Sequence, residues 1–509
     1  MIILVSSCIF VCFISFLIKF LYEIWWNPIR IQSSLRSQGI QGPSYRFYYG
    51  NSQDMVKMRM EALRSSTELS HQLLPRVQPH IYFWINLHGK NYVSWLGPRP
   101  QLVLTEPNLV KEVLSNRDET YPKPEFESYV KQLFGNGLVA ITGEKWNRQR
   151  KLANHAFHGE NLKGMVPAMI ASVEMMLERW RQNEEKEIEV YQEFKLLTSE
   201  IISRTAFGSS YLEGQHIFDM LGKLARILNK NSYQVRIRAI EKLWKRKDDT
   251  ESEKLEQGIR DSVLKMINKR EEDEKTGEVD SCGSDFLGVL LKAYQETDES
   301  KKISIDDLID ECKTFYIAGH ETTSSALTWC IFLLAIHTDW QEKARQEVLE
   351  SFGQRIPTSD EITRLKIMNM IVNETLRLYA PITNLIREVQ KGSRLGKLVA
   401  PSRIDIIVPP LALHQDPDIW GEDAHLFKPE RFAEGIAKAT KNNIAAFLPF
   451  GLGPRNCVGM NFAMAETKIS LSMILQRYRF TLSPTYVHSP TFLIAVCPQK
   501  GLQINLQAL

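Results

Sequence analysis

Paired cysteines are what this chain most plainly lacks. Its 509 residues hold seven cysteines, Cys8, Cys12, Cys282, Cys312, Cys330, Cys457 and Cys497, and no two stand at CxxC spacing. So sparse and odd a set excludes a disulfide framework and places the folded body in a reducing compartment. Charge of one sign is lacking too. Lys and Arg number 63 against 60 Asp and Glu, for a net charge of +3, so nothing calls for nucleic acid as a partner. No internal repeat of solenoid or propeller length is present. His320-Glu321 begins like a helical zinc motif, but Ser324 stands where the second histidine must be, which excludes that site. Gly451-Leu452-Gly453 fails as a dinucleotide fingerprint, and no flavin or nicotinamide motif occurs elsewhere. Electrons for any redox chemistry must therefore come from another protein.

What is present begins at the N-terminus. Ile2 to Ile18 carry no charge, Lys19 can snorkel along its own stem, and Phe20 to Tyr22 extend the apolar run. About 20 such residues span a bilayer core of ~30 Å. Trp25 and Trp26 suit the interface, and Arg30, Arg36 and Arg46 follow while no basic residue precedes, which puts the body in the cytosol. A cleaved signal peptide would need a basic start and a small-residue cleavage site, and both are missing. Residues 1–26 thus read as a transmembrane anchor. Residues 27–50, with Asn27-Pro28 and Gly39-Ile-Gln-Gly-Pro43, read as a breaker-rich linker, and 51–509 read as one catalytic domain.

Within that domain apolar residues recur with a helical period over 160–183, 250–275, 304–337, 340–352, 360–379 and 459–476. Shorter β-like runs lie at Tyr92–Leu96, Gln101–Leu104, Ile404–Val408 and Leu502–Leu506. Residues 273–285 are one polar loop with similar patterning on either side. The length alone admits about three domains, but the pattern predicts one large, mostly α-helical domain with small β-sheets. The 304–337 helix is the most informative. Ser304 caps it, Asp306, Asp307 and Asp310 suit its first turns, and it is almost wholly apolar past Ser325. Such a helix crosses a core. Gly319 and the β-branched Thr322 and Thr323 mark its middle as the place where it would deform most easily.

The strongest chemical signal is Phe450-Gly-Leu-Gly-Pro-Arg-Asn-Cys-Val-Gly459, directly before an amphipathic helix. A cysteine at a helix start meets orphan N–H groups that stabilise a thiolate. Gly453 permits a tight turn, Gly459 permits close approach of something flat, Phe450 can shield the sulfur, and Arg455 can hold an anion. This segment resembles the haem-ligand loop of the cytochrome P450 superfamily, and the resemblance covers essentially the whole chain. It implies haem b with its iron on the Cys457 thiolate, a ligand that favours O–O cleavage.

Other motifs agree with it. Glu374-Thr-Leu-Arg377 resembles the ExxR helix of the family, and Arg431 in Phe427-Lys-Pro-Glu-Arg431-Phe432 resembles its partner. The likeness implies a structural Glu374–Arg377–Arg431 cluster ahead of the cysteine loop. Trp146-Asn-Arg-Gln-Arg150 resembles the WxxxR helix, which implies that Trp146, Arg150, Arg387 and Arg455 hold the haem propionates. Ala318-Gly319-His320-Glu321-Thr322 resembles the oxygen-activation segment, with Thr322 as the hydroxyl that orients dioxygen and Glu321 as the carboxylate that relays protons.

The function implied is a monooxygenase acting on a lipophilic small molecule of the steroid, terpenoid or fatty-acid class, with O2 and electrons from NADPH–cytochrome P450 reductase, at the endoplasmic reticulum membrane. A haem-thiolate isomerase or dehydratase would have a disrupted cysteine loop and no acid–alcohol pair. A non-enzymatic haem protein would have no need of Glu321 beside Thr322. Gly39–Phe47, Ser203–Tyr211, Ala412–Pro417 and Ser483–Pro490 resemble the plant clan of brassinosteroid, cytokinin, gibberellin and triterpenoid oxidases. The nearest likeness is to the brassinosteroid side-chain hydroxylases, although Glu321 stands where that group has Gln. The substrate pocket is expected from residues 120–135 and 210–245, Phe315, Ala318, Pro381–Ile386 and Pro490–Ile494. The basic amphipathic run Arg236–Lys247 is expected either to touch anionic lipid or to be a solvated face.

Overall fold

The computed structural model describes residues 2–65, 68–116, 120–126, 128–182, 186–235, 246–276, 283, 285–299 and 301–509. The basic run at 236–245 and most of the polar loop at 277–284 lie outside the described residues.

Helix α1 (Ile2–Leu21) is long and apolar enough to cross a membrane, and none of its most apolar stretch is buried against the protein. It does not end in a linker. A π-turn over Tyr22–Trp26 leads directly into α2 (Asn27–Ser37). Over 27–37 the expected linker is helix instead, for a definable reason. Pro28 removes one N–H donor and would break an ordinary helix, but the wider π-turn just before it absorbs the disruption. The Ile24 carbonyl, whose α-helical donor would have been the missing N–H of Pro28, instead accepts from the Tyr45 hydroxyl. Ile31 and Leu35 of α2 are buried in the body.

The body is a stack of helices beside a four-stranded sheet. Strands β1 (Asn91–Leu96), β2 (Arg99–Leu104), β3 (Leu385–Glu388) and β4 (Asp405–Val408) lie in the order β1-β2-β4-β3, with β2 and β4 parallel and the other pairs antiparallel. Helix α3 (Pro79–His88) precedes β1. Gln503–Ala508 pairs with Glu187–Glu189 and with Tyr478–Leu482 in a second sheet.

Across the core runs α6 (Ile305–Ile336), capped by a reciprocal Ser304–Asp307 box as its sequence predicts. It packs against α5 (Val190–Phe207), α7 (Lys366–Leu378) and α8 (Met460–Arg477). Helix α4 spans Gly143–Ala156. Helices at Gly159–Arg181, Lys247–Thr276 and Thr338–Phe352 match the expected periodic segments.

Two expectations need correction. The single helix foreseen at 360–379 is two, Ser359–Arg364 and α7, broken at Leu365. Helix α7 starts afresh because the Glu347 carboxylate accepts from the backbone N–H groups of Lys366, Ile367 and Met368, at 2.6, 2.8 and 2.9 Å. The deformation foreseen in α6 is absent, and the helix runs unbroken through Ala318–Thr323. Gly319 serves packing instead. A Cβ there would meet Ile202 of α5 at 2.8 Å, so glycine lets the two helices approach.

Candidate functional site

The cysteine loop is held open by its turns. Gly453 has φ of +74°, and a Cβ on it would stand 2.2 Å from the Leu114 carbonyl oxygen. Only glycine satisfies both the angle and the space. The Cys457 N–H donates to the Phe450 carbonyl at 2.8 Å. Its thiol faces a cavity of about 270 Å3 lined predominantly by apolar side chains. Burial raises the thiol pKa, while the Gly459 N–H and the charge of Arg150 pull it down. Among the described residues Cys457 is the only cysteine in the cavity wall. The nearest atom to a Cβ built on Gly459 is the Cys457 sulfur, at 4.0 Å, so a side chain there would occupy the space beside the thiol.

Trp146 and Arg150 lie one turn apart on α4 and both line the cavity. Arg150 donates to the Asn456 carbonyl at 2.6 Å and to Asn456 Oδ1 at 2.8 Å, tying α4 to the cysteine loop. Arg455 lies over the Trp146 ring, 4.1 Å from its centroid, and donates to the Ile141 carbonyl at 2.7 Å. Phe450 and Arg455 are also in the wall. Arg387, on β3, is buried just behind it, and burial lowers its pKa to about 10.

A fourth cation was not foreseen. Lys123 lines the cavity and donates to the Val139 carbonyl at 2.8 Å. Burial, with Arg387 and Arg455 nearby, lowers its pKa to about 7. No carboxylate pairs with Lys123 or Arg387 among the described residues. Positive groups gathered in this way are stable only with an anion between them.

Behind the loop, Glu374 and Arg377 form a fully buried two-point pair, with both contacts at 2.7 Å. Arg431 Nε stands 3.5 Å from Glu374, so the expected cluster is assembled. Arg377 also donates to the carbonyls of His414, Ala424 and Leu426. His414 was not singled out in the sequence for any role. Its Nε2 accepts from the Leu448 N–H at 2.8 Å, two residues before Phe450. Burial and the charge of Arg377 lower its pKa to about 3, so the ring is neutral and can accept. His414 thus joins the Glu374–Arg377 pair to the cysteine loop.

Phe315, Ala318, Gly319, Thr322 and Thr323 of α6 line the same cavity. The Thr322 hydroxyl donates to the Ala318 carbonyl at 2.7 Å, and the residue lines the cavity. Glu321 is not in the wall. Its carboxylate pairs with Lys195 of α5 at 3.0 Å and lies 3.5 Å from His320 Nε2. Burial pushes its pKa up, but the hydrogen bond and charge of His320 and the charge of Lys195 outweigh that and hold it at about 2.

The expected pocket is corrected in part. Lys123, Phe315, Ala318, Pro381, Ile382 and Leu385 line the cavity, whereas the described residues of 210–235 and 490–494 do not.

Residues 81–506 match the cytochrome P450 family model. The chain is a cytochrome P450. Cytochrome P450 CYP749A22 of Panax ginseng is 57% identical over 99% of this chain and 96% of its own length. Cytochrome P450 734A1 of Arabidopsis thaliana is 38% identical over 97% and 95%. The 11-oxo-beta-amyrin 30-oxidase of Glycyrrhiza uralensis is 41% identical over 96% and 94%. As a member of this family the P450 binds haem b through a cysteine thiolate. It is an oxidoreductase of the monooxygenase type that uses O2, a redox partner and a lipophilic substrate. The cavity fits that group, with one thiol, clearance at Gly459, and Lys123 and Arg387 without a carboxylate partner among the described residues.

Proposed function

We propose that this P450 hydroxylates a lipophilic terpenoid or steroid, with electrons from NADPH–cytochrome P450 reductase, on the cytosolic face of the endoplasmic reticulum. The observation that carries the reading is that Cys457 and Thr322 line one predominantly apolar cavity. The terpenoid preference is supported by the Glycyrrhiza relative, an oxidase of 11-oxo-beta-amyrin. The membrane is supported by the apolar helix α1.

Haem supplies the oxidising power when bound. The chain's residues do the rest. Cys457 would hold the haem iron through its sulfur, since a coordinated thiol is held as its thiolate. Arg150, Arg387, Arg455 and Lys123, with the Trp146 N–H, balance the two propionates. Phe450 and Gly459 bound the space around the sulfur. Glu374, Arg377 and Arg431 hold the loop in register. Thr322 Oγ would orient dioxygen at the cavity wall and would hand on a proton once its hydrogen bond to the Ala318 carbonyl is exchanged. Glu321, ionised, paired with Lys195 and outside the cavity wall, precedes Thr322 in α6 and would supply protons to that hydroxyl only on turning away from Lys195.

The test is NADPH consumption by purified protein with reductase on adding terpenoids and steroids in turn, with product identified by mass. One oxygen atom gained by a panel member supports the reading. Haem-loaded protein that oxidises none of them, yet converts hydroperoxides without reductase, overturns it.

A further inference from the structure

A buried imidazole must find a partner for each of its nitrogens. His320 of α6 is 5% exposed and stands one residue before Glu321. Its Nδ1 lies 3.0 Å from the Thr198 hydroxyl and 3.0 Å from the Ser199 hydroxyl, both on α5. Ser199 donates its single proton to the Lys195 carbonyl at 2.7 Å. Thr198 donates to the Phe194 carbonyl at 2.9 Å, with the His320 carbonyl as a second acceptor at 3.1 Å. Both oxygens therefore turn lone pairs toward Nδ1, and Nδ1 carries a hydrogen.

The other nitrogen faces the acid. His320 Nε2 lies 3.5 Å from Glu321 Oε1. Two lone pairs facing each other there would repel, so one proton stands between them, on the ring or on the carboxyl. Lys195 Nζ lies 3.0 Å from the same carboxylate oxygen. A cation at that distance favours the ionised acid, which leaves the shared proton on the ring.

We propose that His320 is a positioning residue for Glu321 and stores the proton that Glu321 hands on. The proposal rests on the reading of Glu321 as the acid of a monooxygenase. In the resting pair the carboxylate is clamped between Lys195 and the ring, outside the cavity wall. When the proton moves, the Nε2–H bond breaks and an Oε1–H bond forms. The ring keeps its Nδ1–H and becomes neutral. The acid, now uncharged, loses its charge pairing with Lys195 and is free to turn toward Thr322. One transfer thus both loads the acid and releases it. After Glu321 has given the proton up, it returns to Lys195, and the ring takes a proton back from water. Lys195, with its side chain 25% exposed, is the member of the cluster most open to water.

The test uses haem-loaded, full-length protein. His320→Gln keeps an N–H that can reach the acid but cannot transfer a proton to it. With reductase and a substrate from the terpenoid and steroid panel, this variant should keep its haem content and substrate affinity. It should form product about tenfold more slowly, less than the ~10²-fold effect of a group acting on the reactant directly. In wild type the rate should fall as pH rises through the range where imidazolium is lost, and in His320→Gln it should not. Lys195 and Glu321 face the ring, and Tyr191 and Cys497 lie beyond them. Burial pushes the Cys497 thiol up to about 11 and the Tyr191 hydroxyl higher still, so neither titrates in that range. Ser199→Ala leaves the ring in place and removes one acceptor of its Nδ1–H. The fall should then come at lower pH, which keeps the proposal refutable if His320→Gln does not fold. A second readout is independent of turnover. Thermal unfolding of His320→Gln, Glu321→Gln and the double variant should be non-additive at mildly acidic pH and additive where the ring is neutral. An additive cycle at every pH, or a rate profile that both His320→Gln and Ser199→Ala leave unchanged, overturns the proposal and makes His320 a packing residue. A coupled cycle in a protein that oxidises no panel member upholds the shared proton and overturns only the monooxygenase reading.

Discussion

Replacing His414 with Phe should loosen the cysteine loop without touching the cavity. The ring is wholly buried. Its Nε2 accepts from the Leu448 N–H at 2.8 Å, and its Nδ1 lies 3.2 Å from the Arg377 carbonyl. Phenylalanine keeps the ring's bulk and its packing against Phe447, 5.3 Å away, but leaves a buried donor and a buried acceptor unmatched. Each costs about 1–3 kcal/mol. The carbonyl has a second route to satisfaction through small shifts, so the Leu448 amide dominates and the expected loss is ~2–4 kcal/mol. The assay is the red-shifted carbon monoxide band of the reduced protein, followed as temperature rises. In the variant that band should give way to the unligated-thiolate form at a lower temperature, with haem content at the start unchanged. His414→Gln restores an acceptor at the Nε2 position and should recover more than half of the loss. If His414→Phe keeps the band to the wild-type temperature, the Leu448 contact does not transmit order from the Glu374–Arg377 pair to Cys457, and the reasoning fails.

Cys457→His should abolish the red-shifted carbon monoxide band, and retention of that band would move the ligand to another cysteine. Thr322→Ala should leave haem content and substrate affinity nearly unchanged while product per NADPH falls and hydrogen peroxide accumulates, with an unchanged ratio counting against its role. Deleting residues 1–26 should release much of the protein from membranes with haem retained, as judged by fractionation and absorption, because α1 is unburied while Ile31 and Leu35 stay in the body. Lys123 has a pKa near 7 against the ordinary 10.5. Between those values the unfolded chain holds the extra proton, so haem-free protein should gain thermal stability from this group as pH rises across that window. Haem should flatten the trend, since propionates favour the charged amine; a slope unchanged by haem would place Lys123 away from them.

Much of this site was legible because its chemistry is local. The cysteine loop and the ExxR turn are short contiguous runs whose spacing carries their geometry. What escaped depends on contacts between distant segments. Lys123 stands in a Pro-flanked segment expected to line the pocket, but only the fold shows that it joins Arg387 and Arg455 there. His414 gains its role from Leu448 and Arg377, which no local pattern announces. Helix α5 left little periodic trace because most of its residues are buried, on several sides at once. Glu347, borrowed from another helix, makes the break at Leu365. Gly319 was legible as a glycine within a helix, but its use, close approach to Ile202, required knowing which helix lies opposite.

The join between α1 and α2 turns the anchor from a leash into a bracket. A flexible tether would hold the body near the bilayer and let it tumble through every orientation. Here Tyr45 bonds to the turn at Ile24, and α2 is seated by Ile31 and Leu35, so with α1 in a bilayer as proposed, its tilt would set the face the body shows to the lipid. A membrane-bound electron donor then searches in two dimensions against a partner whose heading is already set, which raises the fraction of productive encounters at a given surface density. Restoring free rotation with glycines at 27–30 would keep the protein on the membrane yet make coupling to such a donor depend on its density, a cost invisible in any assay with detergent-solubilised components.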